Sequence, residues 1–224
     1  MELTELENRI GYVFLDKELL KEAMTHSSKG DLRMNGGRLD YERLEFIGDA
    51  MLDAIVGVML YQRIPSGKEG ELTKIRAQIV CEDSLNTIGQ AIGTGAFLRM
   101  GEGEEKSDGR NKPSVVADSV EALIGAIYLD GGYEEARLFV EREFSALVDD
   151  AIEGKLFRDY KTMLQEISQR KGWHIEYCAE DEGPDHDKTF FVHLKIDGIE
   201  KGYGRGKSKK EAEQKAAEDF LRKA

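Results

Sequence analysis

Two segments of this chain are apolar enough to demand burial yet carry carboxylates at helical spacing, and that conflict limits the folds open to it. In Glu42-Arg43-Leu44-Glu45-Phe46-Ile47-Gly48-Asp49 the acids Glu42, Glu45 and Asp49 fall at i, i+3 and i+7, within one narrow arc of an α-helix. Asp53 prolongs the stripe. In Val115-Val116-Ala117-Asp118-Ser119-Val120-Glu121-Ala122-Leu123-Ile124, Asp118 and Glu121 repeat the i, i+3 device inside a second apolar run. Like charges so placed cost a helix about 0.2–0.5 kcal/mol per pair, and bare carboxylates are expensive to bury unless a cation or a proton neutralises them. The spacing alone admits two readings: an acidic face left in water, or two facing helices whose Glu45, Asp49, Asp118 and Glu121 converge on an ion. Convergent oxygen ligands suit Mg²⁺, which takes a few carboxylates and keeps several waters. Such a cation supplies an activated water and offsets charge developing on a phosphodiester. Glu42 and Glu69 are candidates to serve an additional ion or to orient the ligands.

The rest of the first half is also periodic in the helical sense. Thr4 and Glu7 have capping-box spacing ahead of Ile10, Val13 and Phe14. Helical patterns follow at 17–24, from about 38 to 62, and at 71–92, 114–129 and 133–152, separated by Pro65-Ser66-Gly67, the stretch from Gly101 to Gly109, and Gly131-Gly132. Residues 1–152 are therefore predicted to be all-α. After Glu153-Gly154-Lys155 the period changes. One amphipathic segment (Tyr160, Met163, Leu164, Ile167) precedes alternating runs at Ile175/Tyr177/Ala179 and Phe190/Val192/Leu194/Ile196, a short strand around Ile199 to Tyr203, and a helix with Ala212, Ala216 and Phe220 on one face. Ser208 and Glu211 form a second capping-box pair. The tail, residues 157–224, is predicted to be an α-β-β-β-α unit, with Trp173 and Tyr177 in its core.

Net charge misleads until it is divided. The 44 acidic and 32 basic residues give −12, which taken whole argues against a polyanionic partner. Residues 1–150 hold 29 acids and 17 bases, leaving 15 of each for the tail, which is neutral. Within the tail, residues 201–210 carry Lys201, Arg205, Lys207, Lys209 and Lys210 and no acid, immediately before a helix. Cations at a helix N-terminus oppose the macrodipole. Alone, such a turn reads as a solvated basic loop; a phosphate bound there would account for the placement.

Other classes are excluded more simply. Met1 to Phe14 carries three Glu and one Arg before any apolar run, unlike a secretory signal. The apolar stretch Phe46 to Tyr61 is interrupted by Asp49 and Asp53, so no membrane span of roughly 20 residues is expected. Cys81 and Cys178 lie far apart and read as reduced thiols of an intracellular protein. The four histidines show no metal-ligand spacing with either cysteine. Gly206-Lys207-Ser208 resembles the end of a nucleotide-binding loop, but Gly202 leaves three intervening residues where that loop needs four.

At this level of detail the residues resemble a known family. ERLEFIGDA from Glu42 to Ala50 resembles the signature of bacterial ribonuclease III, as does ADSVEALIGAIYLDGG from Ala117 to Gly132. Further matches are IGYVF at Ile10 to Phe14, AMTHSS at Ala23 to Ser28, and Lys68-Glu69-Gly70. The tail looks like a double-stranded-RNA-binding domain in Gln165-Glu166, in Gly183-Pro-Asp-His-Asp-Lys, and in the stretch opening at Gly202. The resemblance implies an all-α endonuclease domain (1–152) followed by a double-stranded-RNA-binding domain (157–224). It implies Mg²⁺-dependent hydrolysis of duplex RNA by a cytoplasmic homodimer that processes rRNA precursors, mRNA and other structured transcripts. Each cut would leave a 5′-phosphate, a 3′-hydroxyl and a short 3′ overhang. By the same carry-over Glu45, Asp49, Asp118 and Glu121 are the catalytic metal ligands, Glu42 and Glu69 accessory acids, and Phe46 the residue inserted into the partner subunit. Gln165, Glu166 and Gln169 would face one minor groove, His186 the next, and Lys207, Lys209 and Lys210 the phosphates between, a mode that reads A-form shape. Ile47 and Ala50 depart conservatively from residues common in relatives, and Asp53 is the less usual feature.

Two other functions are open to such a sequence. A catalytically silent RNA-binding chaperone would show a lost catalytic carboxylate, and all four are present. A metal-dependent phosphohydrolase of nucleotides would have no use for the appended RNA module.

Overall fold

The computed structural model describes residues 3–30, 39–156, 160–184 and 188–223. They belong to two compact units that divide between Leu156 and Phe157. The first is helical: α1 (Leu3–Ile10), α2 (Lys17–Ala23), α3 (Glu42–Arg63), α4 (Glu69–Ile79), α5 (Glu82–Ile92), the short α6 (Glu102–Lys106), α7 (Pro113–Gly131) and α8 (Tyr133–Ile152). An isolated parallel bridge joins Thr25 and Arg99.

The central element is α7. Pro113 at its start needs no backbone donor there, and Gly132, with φ +84°, ends it in a conformation that favours glycine. Residues from Val115 to Ile127 are buried except the half-buried Asp118 and Glu121, and α2, α3, α5 and α8 pack around them. The interface with α3 is the most extensive between helices, and glycine makes it possible. A Cβ on Gly48 would collide with the carbonyl oxygen of Glu121, and a Cβ on Gly125 with that of Leu44. The two backbones thus meet directly, where helices spaced by side chains keep their axes about 8–10 Å apart.

The sequence expectations need three corrections in this unit. The pattern at 71–92 is two helices, because Cys81 is extended (φ −78°, ψ 159°) and Glu82 and Asp83 open a new first turn. The Ser84 hydroxyl donates to the carbonyl of Gln78 at 2.7 Å across the break. At 100° per residue Leu85, Ile88 and Ile92 lie roughly 140° round from the face shared by Leu72, Ile75 and Ile79, a phase jump that a single helix over 71–92 overlooks. Thr4 lies inside α1 and caps nothing; the buried Glu7 instead accepts from the backbone N–H of Phe14 at 2.7 Å and pairs with Lys17. Finally, α3 starts at Glu42, with Tyr41 at the N-cap position, later than the expected position near 38.

The second unit has the α-β-β-β-α order, with α9 (Tyr160–Lys171), β1 (Ile175–Glu182), β2 (Thr189–Ile196), β3 (Ile199–Gly206) and α10 (Lys209–Lys223). The strands form an antiparallel sheet in the order β1-β2-β3, with Tyr177 opposite Leu194 and Val192 opposite Gly204. Leu164, Val192, Leu194, Ile196, Ala212, Ala216 and Ala217 form its core, with Trp173, Tyr177 and Phe220 packed against them. Strand alternation thus sends one face to the helices and leaves Lys195, Tyr203 and Arg205 outside it. No helix among the described residues is long and apolar enough to cross a membrane.

Candidate functional site

The crossing of α3 and α7 places the acids. Glu45 and Gly48 lie one turn apart on α3, and the backbone of Glu121 sits against Gly48. As a result Glu45, Asp118 and Glu121 each offer one carboxylate oxygen within 4.8 Å of the others, and all three are half-buried. Asp49, a turn further along α3, is exposed and outside this trio, although its charge acts on both Glu45 and Glu121. Glu42 opens α3, exposed, and adds its charge to Glu45. Glu69 opens α4, exposed, and accepts from the Thr73 hydroxyl at 3.2 Å. Asp53 faces Arg76 at 3.4 Å.

The trio is electrostatically unsatisfied. Desolvation pushes Glu121 up to about 8, reinforced by Asp49, Glu45, Asp118 and Asp53. Glu45 is pushed up to about 7, again first by desolvation and then by Asp118, Glu42 and Asp49. Every charge acting on these two groups is another carboxylate. Desolvation raises Asp118 as well, partly opposed by a hydrogen bond from Tyr41 and by the charge of His26. Clustered oxygen donors that repel one another are what a hard divalent ion neutralises.

In the second unit Gln165, Glu166 and Gln169 are exposed on α9. Lys207, Lys209 and Lys210 are exposed at the start of α10. Ser208 Oγ accepts the backbone N–H of Glu211 at 3.2 Å, and the Glu211 carboxylate accepts backbone N–H bonds from Lys207, at 2.7 Å, and from Ser208. Both arms of the expected capping box are therefore present, and the Lys207 N–H is a further donor to the same carboxylate. His186 lies outside the described residues.

A family model described as Ribonuclease-III-like matches residues 16–147, and one described as Double-stranded RNA binding motif matches residues 160–224. Ribonuclease 3 of Caldanaerobacter subterraneus subsp. tengcongensis is 47% identical over 223 residues, 99% of this chain and 97% of that one. The chain belongs to the ribonuclease III family. Ribonuclease 3 of Desulforamulus reducens is 49% identical over 216 residues, 96% of this chain and 88% of the relative. The nuclease domain of ribonuclease III from Campylobacter jejuni matches in structure with a TM-score of 0.60 at 39% identity, covering 65% of this chain and 97% of that one. This ribonuclease III is thus an endonuclease directed at double-stranded RNA.

Two groups around the ribonuclease III acids escaped the sequence reading. Tyr41, immediately before the signature, is buried, and its hydroxyl donates to Asp118 Oδ2 at 3.4 Å. Glu82 at the start of α5 adds its charge to Asp118. The sequence carried no signal for Tyr41, because the helix was expected to begin near 38 and position 41 becomes its N-cap only in the structure. Glu82 was overlooked with the break before α5, which makes it the first residue of a new helix.

The raised carboxyls make stability depend on pH. Glu45 and Glu121 hold protons in the folded chain to about pH 7 and 8, well above their ordinary value of 4.5. Between those limits the folded state binds more protons than the unfolded one, so stability present at acid pH is lost as pH rises through that window. The metal-free protein is expected to melt lower at pH 8 than at pH 6, and added Mg²⁺ to raise the melting temperature more at pH 8. Calorimetry in EDTA and in Mg²⁺ checks both, and a metal-free melting temperature that climbs from pH 6 to 8 would contradict the assignment.

Proposed function

We propose that this ribonuclease III hydrolyses duplex RNA in a Mg²⁺-dependent manner, with Glu45, Asp49, Asp118 and Glu121 as its catalytic carboxylates. The observation that carries this reading is the half-buried trio of Glu45, Asp118 and Glu121, within 4.8 Å of one another and with only carboxylates acting on two of its members. Those three would hold the cation, and the exposed Asp49 has the freedom to reach it from one turn away. When bound, Mg²⁺ supplies an activated water and stabilises charge developing on the scissile phosphate. The chain's own part is to fix the ligands on two helices that meet backbone to backbone at Gly48 and Gly125. Glu42 and Glu69 act as accessory acids at the edges of the site.

Residues 1–152 are the cleaving domain and residues 157–224 the duplex-binding domain in this reading. Gln165, Glu166, Gln169 and His186 contact the minor grooves, and Lys207, Lys209 and Lys210 the phosphates between them. The helix N-terminus adds free N–H groups to the three ammonium groups there. The working form is a homodimer with Phe46 seated in the partner. Phe46 is 77% exposed and borders a surface depression lined by Leu19, Glu22, Arg43, Ile47 and Leu129. The solved Campylobacter nuclease domain is described as having a region involved in dimer formation. Products carry 5′-phosphate and 3′-hydroxyl ends with a short 3′ overhang. Cytoplasmic rRNA precursors and structured mRNAs are the substrates the family implies.

The test is incubation of the purified protein with long duplex RNA and with duplex DNA of the same sequence, with Mg²⁺ and with EDTA. Cutting of both RNA strands in Mg²⁺ alone, with DNA untouched, is the expected result; metal-independent cutting would overturn the reading. In the same preparation Lys209→Ala/Lys210→Ala should weaken duplex binding and reduce the slope of log affinity against log salt by about 2, roughly one for each phosphate left without its lysine.

A further inference from the structure

Tyr41 occupies the N-cap of α3 without capping it by its side chain. A phenol cannot fold back onto the first turn as a serine or aspartate does, so capping does not explain this residue. Its surroundings direct it elsewhere. The backbone N–H of Tyr41 donates to the Thr25 carbonyl at 2.9 Å, and its carbonyl accepts from Leu44 and Glu45 at 2.8 and 2.9 Å. The His26 ring meets the phenol edge to face, with centroids 5.6 Å apart and planes at 76°. His26 is in turn held by its Nδ1 contact to the Ser28 hydroxyl at 2.7 Å. The side chain, 3% exposed, is thus fixed at its backbone and along its ring, and its hydroxyl reaches from the start of α3 to Asp118 Oδ2 on α7 at 3.4 Å.

A buried phenol among carboxylates has one proton to donate, and here it goes to the one member of the trio with that hydroxyl as donor. A carboxylate with one oxygen engaged has lost most of its freedom about χ2 and presents its other oxygen in a set direction. We propose that Tyr41 is a positioning residue for the reaction, holding the Asp118 carboxylate in the orientation that the cation requires. The inference rests on the reading of Glu45, Asp118 and Glu121 as the metal site. Groups that orient a metal ligand without touching the metal are typically worth about 10–100-fold in metal affinity, and the loose reach of this hydrogen bond points to the lower end.

The test is Tyr41→Phe, which removes the hydroxyl and keeps the ring. Mn²⁺ binding to the RNA-free protein is followed by electron paramagnetic resonance, Mg²⁺ half-saturation by duplex cleavage, and melting temperature and duplex binding in EDTA. Mn²⁺ affinity should fall about 10-fold and half-saturating Mg²⁺ rise by a similar factor, with most of the cleavage rate restored by excess Mg²⁺. Duplex binding and the EDTA melting temperature should stay at wild-type values. In an Asp118→Asn background the Tyr41→Phe change should cost no further affinity. A lowered melting temperature with unchanged Mn²⁺ affinity would make Tyr41 a packing residue and overturn the proposal. Failure of the wild type itself to bind Mn²⁺ would overturn the metal reading and this inference with it, a result separable from loss confined to the variant.

Discussion

Glu121→Gln is expected to lower single-turnover cleavage of duplex RNA on the order of 10³-fold, the scale seen when a catalytic site loses a group that stabilises developing charge, while duplex binding stays at the wild-type level. The substitution keeps size and shape and removes one negative charge from the convergence of Glu45, Asp118 and Glu121. A neutral amide oxygen gives a divalent cation none of the charge that a carboxylate does, so the loss falls on the rate, not on RNA affinity, which the second unit supplies. The same change should stabilise the metal-free protein at pH 8. Asp49, Glu45, Asp118 and Asp53 all repel the wild-type carboxylate, and that repulsion goes with the charge. Each 1 kcal/mol gained would raise the melting temperature by roughly 2–4 °C in a chain of this size. Loss of activity with a higher metal-free melting temperature is a pairing that a folding defect cannot produce. Activity above a tenth of wild type would remove Glu121 from the catalytic set.

Among the described glycines, Gly48→Ala should be the most damaging added methyl. Its Cβ would collide with the Glu121 carbonyl oxygen, and the neighbouring atoms are the backbone carbon and Cα of the same residue. None of these can swing aside as a side-chain tip could, so the α3–α7 crossing itself must open. Overpacking of a flexible core site costs about 1–3 kcal/mol. A rigid backbone obstacle places this substitution at or above the upper end, a fall of roughly 6–12 °C in melting temperature at the 2–4 °C per kcal/mol expected for this size. Widening the crossing also separates Glu45 from Glu121, so cleavage should fail even at temperatures where the variant is folded. Gly103→Ala, at a position where a Cβ meets nothing within 4 Å, is the control. Wild-type stability in Gly48→Ala would show that the crossing has more room than the structure gives it.

The features legible in the sequence were those set by periodicity and by chemical conflict. The acids of α3 and α7 stood out because carboxylates in apolar helices are costly, and the strands of the second unit because Val192, Leu194 and Ile196 alternate with exposed or half-exposed neighbours. The break at Cys81 was marked only by a shift in the phase of the apolar stripe between Ile79 and Leu85, with no Pro or Gly to punctuate it. Thr4 and Glu7 had the spacing of a cap, but burial recruited Glu7 to hold Phe14 and Lys17, an interaction between residues seven and ten apart that no local motif encodes. Helical phase put Asp49 with Glu45 on one face, yet phase says nothing of depth. Asp49 projects into solvent while Glu45, a turn earlier, is drawn under α7.

The glycine seam between α3 and α7 has a consequence for how such a protein can change over generations. Where helices are spaced by side chains, each core substitution resets their separation and any site that spans them drifts. Here backbone rests on backbone at Gly48 and Gly125, so the spacing of the acids is decoupled from the sizes of the surrounding Leu, Ile and Val side chains. Those side chains are free to vary, at a cost in stability alone, while the distances that matter for chemistry are inherited unchanged.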